Sequence, residues 1–207
     1  MSLQVMKHPG LNLGRSHGKD DEAAETVMFG FWLFLMSDAI LFGMVFATYV
    51  ISVNATAGGP GPPDLYDINS VFIQTVLLLV SSFTFGMASL ALKYRHGTVR
   101  LLSWLGVTLL LGLAFLALEL HDFASMFAKG GVPSRSGFLS AFFDLVPLHG
   151  LHVAAGCLWL VSLAAQIVRY GVDRDVKLGV MRLALFWHFL DIVWIAIFSV
   201  VYLAGLG

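Results

Sequence analysis

Histidines and carboxylates stand where this chain is otherwise hydrocarbon-like. His149 and His152 occur in HGLHV, His188 and Asp191 in WHFLDIVW, Asp38 in LMSDAIL and Glu119 in LALELHD. Ionisable groups in such surroundings are costly, and where they occur they face a bundle interior, pair with one another or mark a path for ions or protons. At helical pitch His149 and His152, at i and i+3, share one face, as do His188 and Asp191. Three chemistries are open to such a set. Hydrogen-bonded side chains can tie helices together, each bond contributing on the order of 0.6 kcal/mol inside a membrane. They can handle protons, because a carboxyl group in low dielectric retains its proton more readily and an imidazole can relay one near neutral pH. Asp38 is the foremost candidate for that role, as a lone mid-membrane carboxylate. Finally, Glu119, His149, His152, His188 and Asp191 offer nitrogen and oxygen ligands for iron or zinc, although the repeated Glu-x-x-His of a di-iron bundle is missing.

The elements that must position these groups follow from composition. With 58% hydrophobic and 12% charged residues among 207, the chain has too little polar surface to cover a globular domain, and it reads as an integral membrane protein. A net charge of −1, with basic residues in short clusters, excludes the continuous positive stripe that a nucleic-acid partner needs. Cys157 stands alone, so neither an internal disulfide nor a cysteine zinc site is available. Five apolar stretches, at 27–53, 70–92, 101–120, 138–168 and 183–206, are each long enough for a spanning helix and too long for alternating barrel strands. The predicted fold is all-α: a polytopic bundle of five transmembrane helices over residues 27–207, preceded by a polar cytoplasmic tail at 1–26. The first stretch is too long for the core of a cleaved signal peptide, so the tail is expected to be retained and loosely ordered.

Orientation follows from the basic residues. Lys7, Arg15 and Lys19 lie in the tail, Lys93, Arg95 and Arg100 in the second connection, and Arg169, Arg174, Lys177 and Arg182 in the fourth. Only Lys129 and Arg135 fall in the third connection, so the positive-inside rule puts the N-terminus inside and the C-terminus outside. Tyr94, Trp104, Tyr170 and Trp187 near inner ends, with Tyr49, Tyr66 and Tyr202 near outer ends, fit interfacial aromatic belts. Pro60, Pro62 and Pro63 make the first connection a turn. The fourth stretch would be about 45 Å long as one helix. Pro147 should kink it, and Gly150 and Gly156 allow neighbouring backbones to approach closely. Asp38 and Asp191 fall at similar depth, which permits contact between the first and fifth spans. Glu119, near the outer end of the third, could meet the histidines of the fourth.

Three segments carry a resemblance. LMSDAILFGMVFATY at 35–49, RSGFLSAFFDLVPLHGLHVAAG at 135–156 and LFWHFLDIVWIAIFSVVYLAG at 185–205 resemble subunit III of haem-copper terminal oxidases, most nearly that of the cytochrome bo-type ubiquinol oxidases. The likeness runs from about Phe29 to the C-terminus. It implies a helical bundle without redox centres, with haems and copper held by subunit I, subunits II and IV as further partners, and phospholipid bound between helices. It also implies a bacterial inner-membrane location and a role in stabilising subunit I and supporting proton uptake. Asp38 matches the family's intramembrane acid, while His149, His152, His188 and Asp191 match its internal polar residues. Two positions depart from relatives: Gln74 stands where some have Glu, which removes an exchangeable proton from the second span, and Pro147 stands where Gly can occur.

The resulting expectation is a non-catalytic subunit III of a proton-pumping ubiquinol oxidase, with no cofactor in this chain. Subunit III of a cytochrome c oxidase is the nearest alternative. A standalone transporter would require flux without partners, and no inverted repeat supports it. A membrane metalloenzyme would hold metal at the His and acidic cluster.

Overall fold

The computed structural model describes residues 19–58, 61, 66–94 and 97–206. The tail before Lys19, the tip prolines of the first connection and Arg95 lie outside them. Five long helices, each apolar enough to cross a membrane, account for nearly all of the described chain. They are α1 (Lys19–Ser52), α2 (Ile68–Lys93), α3 (Thr98–Ala128), α4 (Gly137–Tyr170) and α5 (Arg174–Ile197). A π-helical segment, Phe198–Leu203, continues α5 and closes in a 3-10 turn, Ala204–Leu206.

Local chemistry sets several of the helix ends. Asp67 caps α2 by accepting from the backbone N–H groups of Asn69 and Ser70, Ser136 caps α4 by accepting from Leu139, and Asp173 caps α5 by accepting from Val176. At the end of α3, the Gly131 N–H donates to the Met126 carbonyl and the Gly130 N–H to the Phe127 carbonyl. This pair of bonds requires a left-handed residue, and Gly130 takes it with φ of 80°. Gly171, also at a positive φ of 80°, ends α4, its N–H donating to the Ile167 carbonyl.

These caps lie further out than the apolar stretches suggest. The helix α1 begins at Lys19 rather than Val27. The helix α3 runs on to Ala128, so His121 and Asp122 lie within it. At the other end of the chain, α5 begins at Arg174 rather than Leu183, because Asp173 caps a turn of polar but helix-competent residues. Trp187 therefore sits in mid-helix, buried, and donates its indole N–H to Ser81 Oγ at 3.0 Å; it does not belong to an interfacial belt. Tyr49, Tyr66 and Tyr202 are buried as well, because the π turn brings Tyr202 within 4.8 Å of the Tyr66 ring and Tyr49 hydrogen-bonds Tyr66 at 3.2 Å. They pack one end of the bundle's interior instead of lying on its surface. Burial and the adjacent Tyr49 hydroxyl push the Tyr66 phenol well above its ordinary pKa.

Side-chain pairs fix the registers. Ser70–Asp122 and Thr84–Thr108 run in opposite directions along α2 and α3, which makes these helices antiparallel. Thr75–Trp194 and Ser81–Trp187 do the same for α2 and α5. The helix α1 packs against α4 and α5. Close approach depends on glycine at two places: a Cβ on Gly156 would lie 3.1 Å from the Trp187 ring, and one on Gly112 would lie 3.0 Å from the same ring. The helix α4 stays continuous through Pro147. Outward faces carry Phe29, Ile40, Met44, Phe83, Leu110, Leu158 and Ile192, all exposed, which suits contact with acyl chains or other apolar helices.

Candidate functional site

The intramembrane polar residues sort into separate pairs on different helix seams. Asp38 on α1 faces His152 on α4, with Oδ2 3.5 Å from Nε2. The other ring nitrogen, Nδ1, lies 2.7 Å from the Leu148 carbonyl oxygen. A carbonyl can only accept, so Nδ1 carries a hydrogen. Nε2 is then the ring atom turned toward the Asp38 carboxyl group, across the α1–α4 seam. Phe42 packs against the His152 ring at 5.1 Å.

His149, one turn away, turns to a different neighbour. It is fully buried, and its Nε2 donates to the Leu190 carbonyl of α5 at 3.2 Å. Trp194 lies over its ring at 5.1 Å and Phe115 meets it edge-on at 5.8 Å. The adjacent Gly150 faces Glu119 of α3: a Cβ there would fall 2.8 Å from the Glu119 carboxyl carbon. The absence of that Cβ makes room for the buried carboxyl group. Glu119 thus meets the fourth helix beside its histidines, against backbone and not against an imidazole.

His188 and Asp191 form the third group, with Asp191 Oδ2 3.8 Å from His188 Nδ1. Ser82 of α2 joins it, with Oγ 2.5 Å from the same nitrogen. The contact between the first and fifth spans that the similar depths of Asp38 and Asp191 permit is present, while the Asp38 side chain itself faces His152 of α4.

Two polar partners had no signal in the sequence. Ser82 resembles any helix serine, and only the α2–α5 packing places it on His188. Asp122 accepts from Ser70 Oγ at 2.8 Å and from the Gln74 amide at 2.6 Å. The amide at position 74 therefore acts as a donor to a carboxylate, a task that needs no exchangeable proton. Among the described residues, no three His, Cys, Asp or Glu side chains gather closely enough to hold a metal ion. The ligand set conceivable from spacing is divided among the α1–α4, α3–α4 and α2–α5 seams.

Five membrane-crossing helices, with a histidine–carboxylate contact between α1 and α4 and hydroxyl–indole bonds between α2 and α5, define a polytopic membrane bundle. Comparison with known proteins gives the particular family. Residues 12–206 match the profile of cytochrome c oxidase subunit III, and the chain belongs to that family. It is 48% identical over 193 residues to cytochrome bo(3) ubiquinol oxidase subunit 3 of Pseudomonas aeruginosa, covering 93% of this chain and 92% of that one. The corresponding subunit of Pseudomonas putida is 45% identical, with 89% and 88% covered. Cytochrome c oxidase subunit 3 of Bacillus subtilis is 41% identical, with 86% of each chain covered.

Proposed function

We propose that this chain is the non-catalytic third subunit of a proton-pumping haem-copper ubiquinol oxidase in a bacterial inner membrane, with its N-terminus inside and its C-terminus outside. It braces the haem-bearing subunit I, packs with subunits II and IV and with phospholipid, and supports proton uptake through the Asp38–His152 pair. That pair carries the proton-uptake part of the reading, because a buried carboxyl 3.5 Å from an imidazole inside the spanning helices suits proton exchange and has no place in electron transfer. The remaining polar groups act as ties. Ubiquinol is favoured over cytochrome c as electron donor because the ubiquinol-oxidase relatives from Pseudomonas are more similar to this chain than the cytochrome c oxidase subunit of Bacillus subtilis.

The test is affinity purification through a tag on this chain from solubilised native membranes. A large haem-bearing chain should co-elute, and the eluate should oxidise ubiquinol with oxygen uptake. After dissociation this chain should carry neither haem nor iron. Stoichiometric iron on the separated chain, or elution without any haem-bearing partner, would overturn the proposal.

A further inference from the structure

The α2–α5 seam ends, on its outer side, in an unusual group. His188 lies near the middle of the spanning segment Arg174–Leu203 and Ser82 near the middle of Ile68–Lys93. The His188 side chain is nevertheless 49% exposed. Two other exposed polar side chains in the spans are satisfied within their own helices. Ser37 donates to the Phe34 carbonyl at 2.7 Å and Ser162 to the Leu158 carbonyl at 2.9 Å, each within its own helix. Asp144 is exposed too, but it lies about two turns from the start of α4, within reach of headgroups and water.

His188 has no such recourse. Its recorded partners, Ser82 Oγ and Asp191 Oδ2, both lie at Nδ1. Among the described residues no hydrogen bond engages Nε2. With Ser82 Oγ 2.5 Å from Nδ1, the tautomer that carries its hydrogen on Nδ1 donates to that hydroxyl and leaves Nε2 as an acceptor. An acyl chain at this depth offers no donor, and an unpaired acceptor in hydrocarbon is costly. Around it the surface is apolar and broad, with Phe83, Leu185 and Ile192 exposed, and Gly86 on α2 has open space where a Cβ would stand. This is the composition of a helix–helix contact with a polar centre.

We infer that the α2–α5 face centred on His188 is the docking surface for a transmembrane helix of another oxidase subunit, and that this helix presents a hydrogen-bond donor to His188 Nε2 at mid-membrane depth. The inference rests on the subunit reading above and adds where the partner sits and what it offers. A lipid tail cannot meet the chemistry, and a second copy of this chain would bring a second acceptor to the contact.

The test uses the full complex in native membranes. A photo-reactive benzoylphenylalanine replaces Ile192, which is 68% exposed and one turn from His188, so that the polar group stays intact. Irradiation should join this chain covalently to a different membrane subunit. Adducts confined to lipid, or to a second copy of this chain, in a complex that still co-purifies would overturn the surface while leaving the subunit reading in place. Absence of any co-purifying chain before irradiation would overturn both. Two variants test the hydrogen bond itself. His188→Leu should lower the partner retained in detergent severalfold, and His188→Gln, which keeps an acceptor, should restore it. Equal retention in His188→Leu and the parent would overturn the donor–acceptor contact.

Discussion

At the scale of single residues, identity matters through the one neighbour each side chain meets. Gly150 is the sharpest instance, because a methyl group there would lie 2.4 Å from a Glu119 carboxyl oxygen. Glu119 is buried and cannot swing into solvent, so Gly150→Ala forces a shift in the α3–α4 packing and should cost about 1–3 kcal/mol. Combining it with Glu119→Ala removes the clash, and a double-mutant cycle in detergent–denaturant unfolding of the purified complex should give a favourable coupling of similar size. Gly179 provides the contrast: a Cβ there meets only the end of the Leu163 side chain, which can rotate away, so Gly179→Ala should cost well under that amount. The intramembrane residues themselves could be found in the sequence, since a His or Asp in an apolar run stands out. Their partners could not be found there. His149 and His152 share a helical face by spacing, yet one reaches α5 and the other α1, because a 60° difference in direction selects a different neighbour once three helices surround α4.

At the scale of the helices, hydropathy marks the membrane-crossing middle and capping chemistry marks the ends. All five spans were therefore legible, while α3 and α5 extend beyond their apolar stretches. In α5 the extension depends on Asp173, which accepts from the Val176 N–H at 2.9 Å. Asp173→Ala should destabilise by about 1 kcal/mol and fray the first turns, whereas Asp173→Ser should cost only a fraction of that. Hydrogen exchange at Val176 and Lys177 would report the difference. Tyr49, Tyr66 and Tyr202 fit a belt in the sequence but are buried, for the same kind of reason: the π turn at Phe198–Leu203 cannot be seen in hydropathy, yet it places Tyr202 inside the bundle against Tyr66.

At the scale of the whole molecule, its buried polar side chains line the seams and its outer faces are mostly apolar. Hydroxyl–indole ties, Trp187 to Ser81 and Trp194 to Thr75, hold α5 to α2. Glycines let the α3–α4–α5 interfaces close, and one exposed imidazole breaks the apolar α2–α5 face. That distribution suits a bracing subunit whose contribution to the complex lies in stability and proton supply. The central claim is that the chain supports oxygen chemistry without carrying it, and Asp38→Asn tests it directly. Asparagine can donate its amide hydrogen to His152 Nε2, so the tie between α1 and α4 survives while the exchangeable proton is lost. Oxygen uptake by the purified Asp38→Asn complex, followed from first mixing with ubiquinol through sustained turnover, is the decisive measurement. Full haem content, normal first-turnover haem reduction and a severalfold loss of sustained rate are predicted; failure of haem reduction on first mixing, with the haems in place, would contradict the claim.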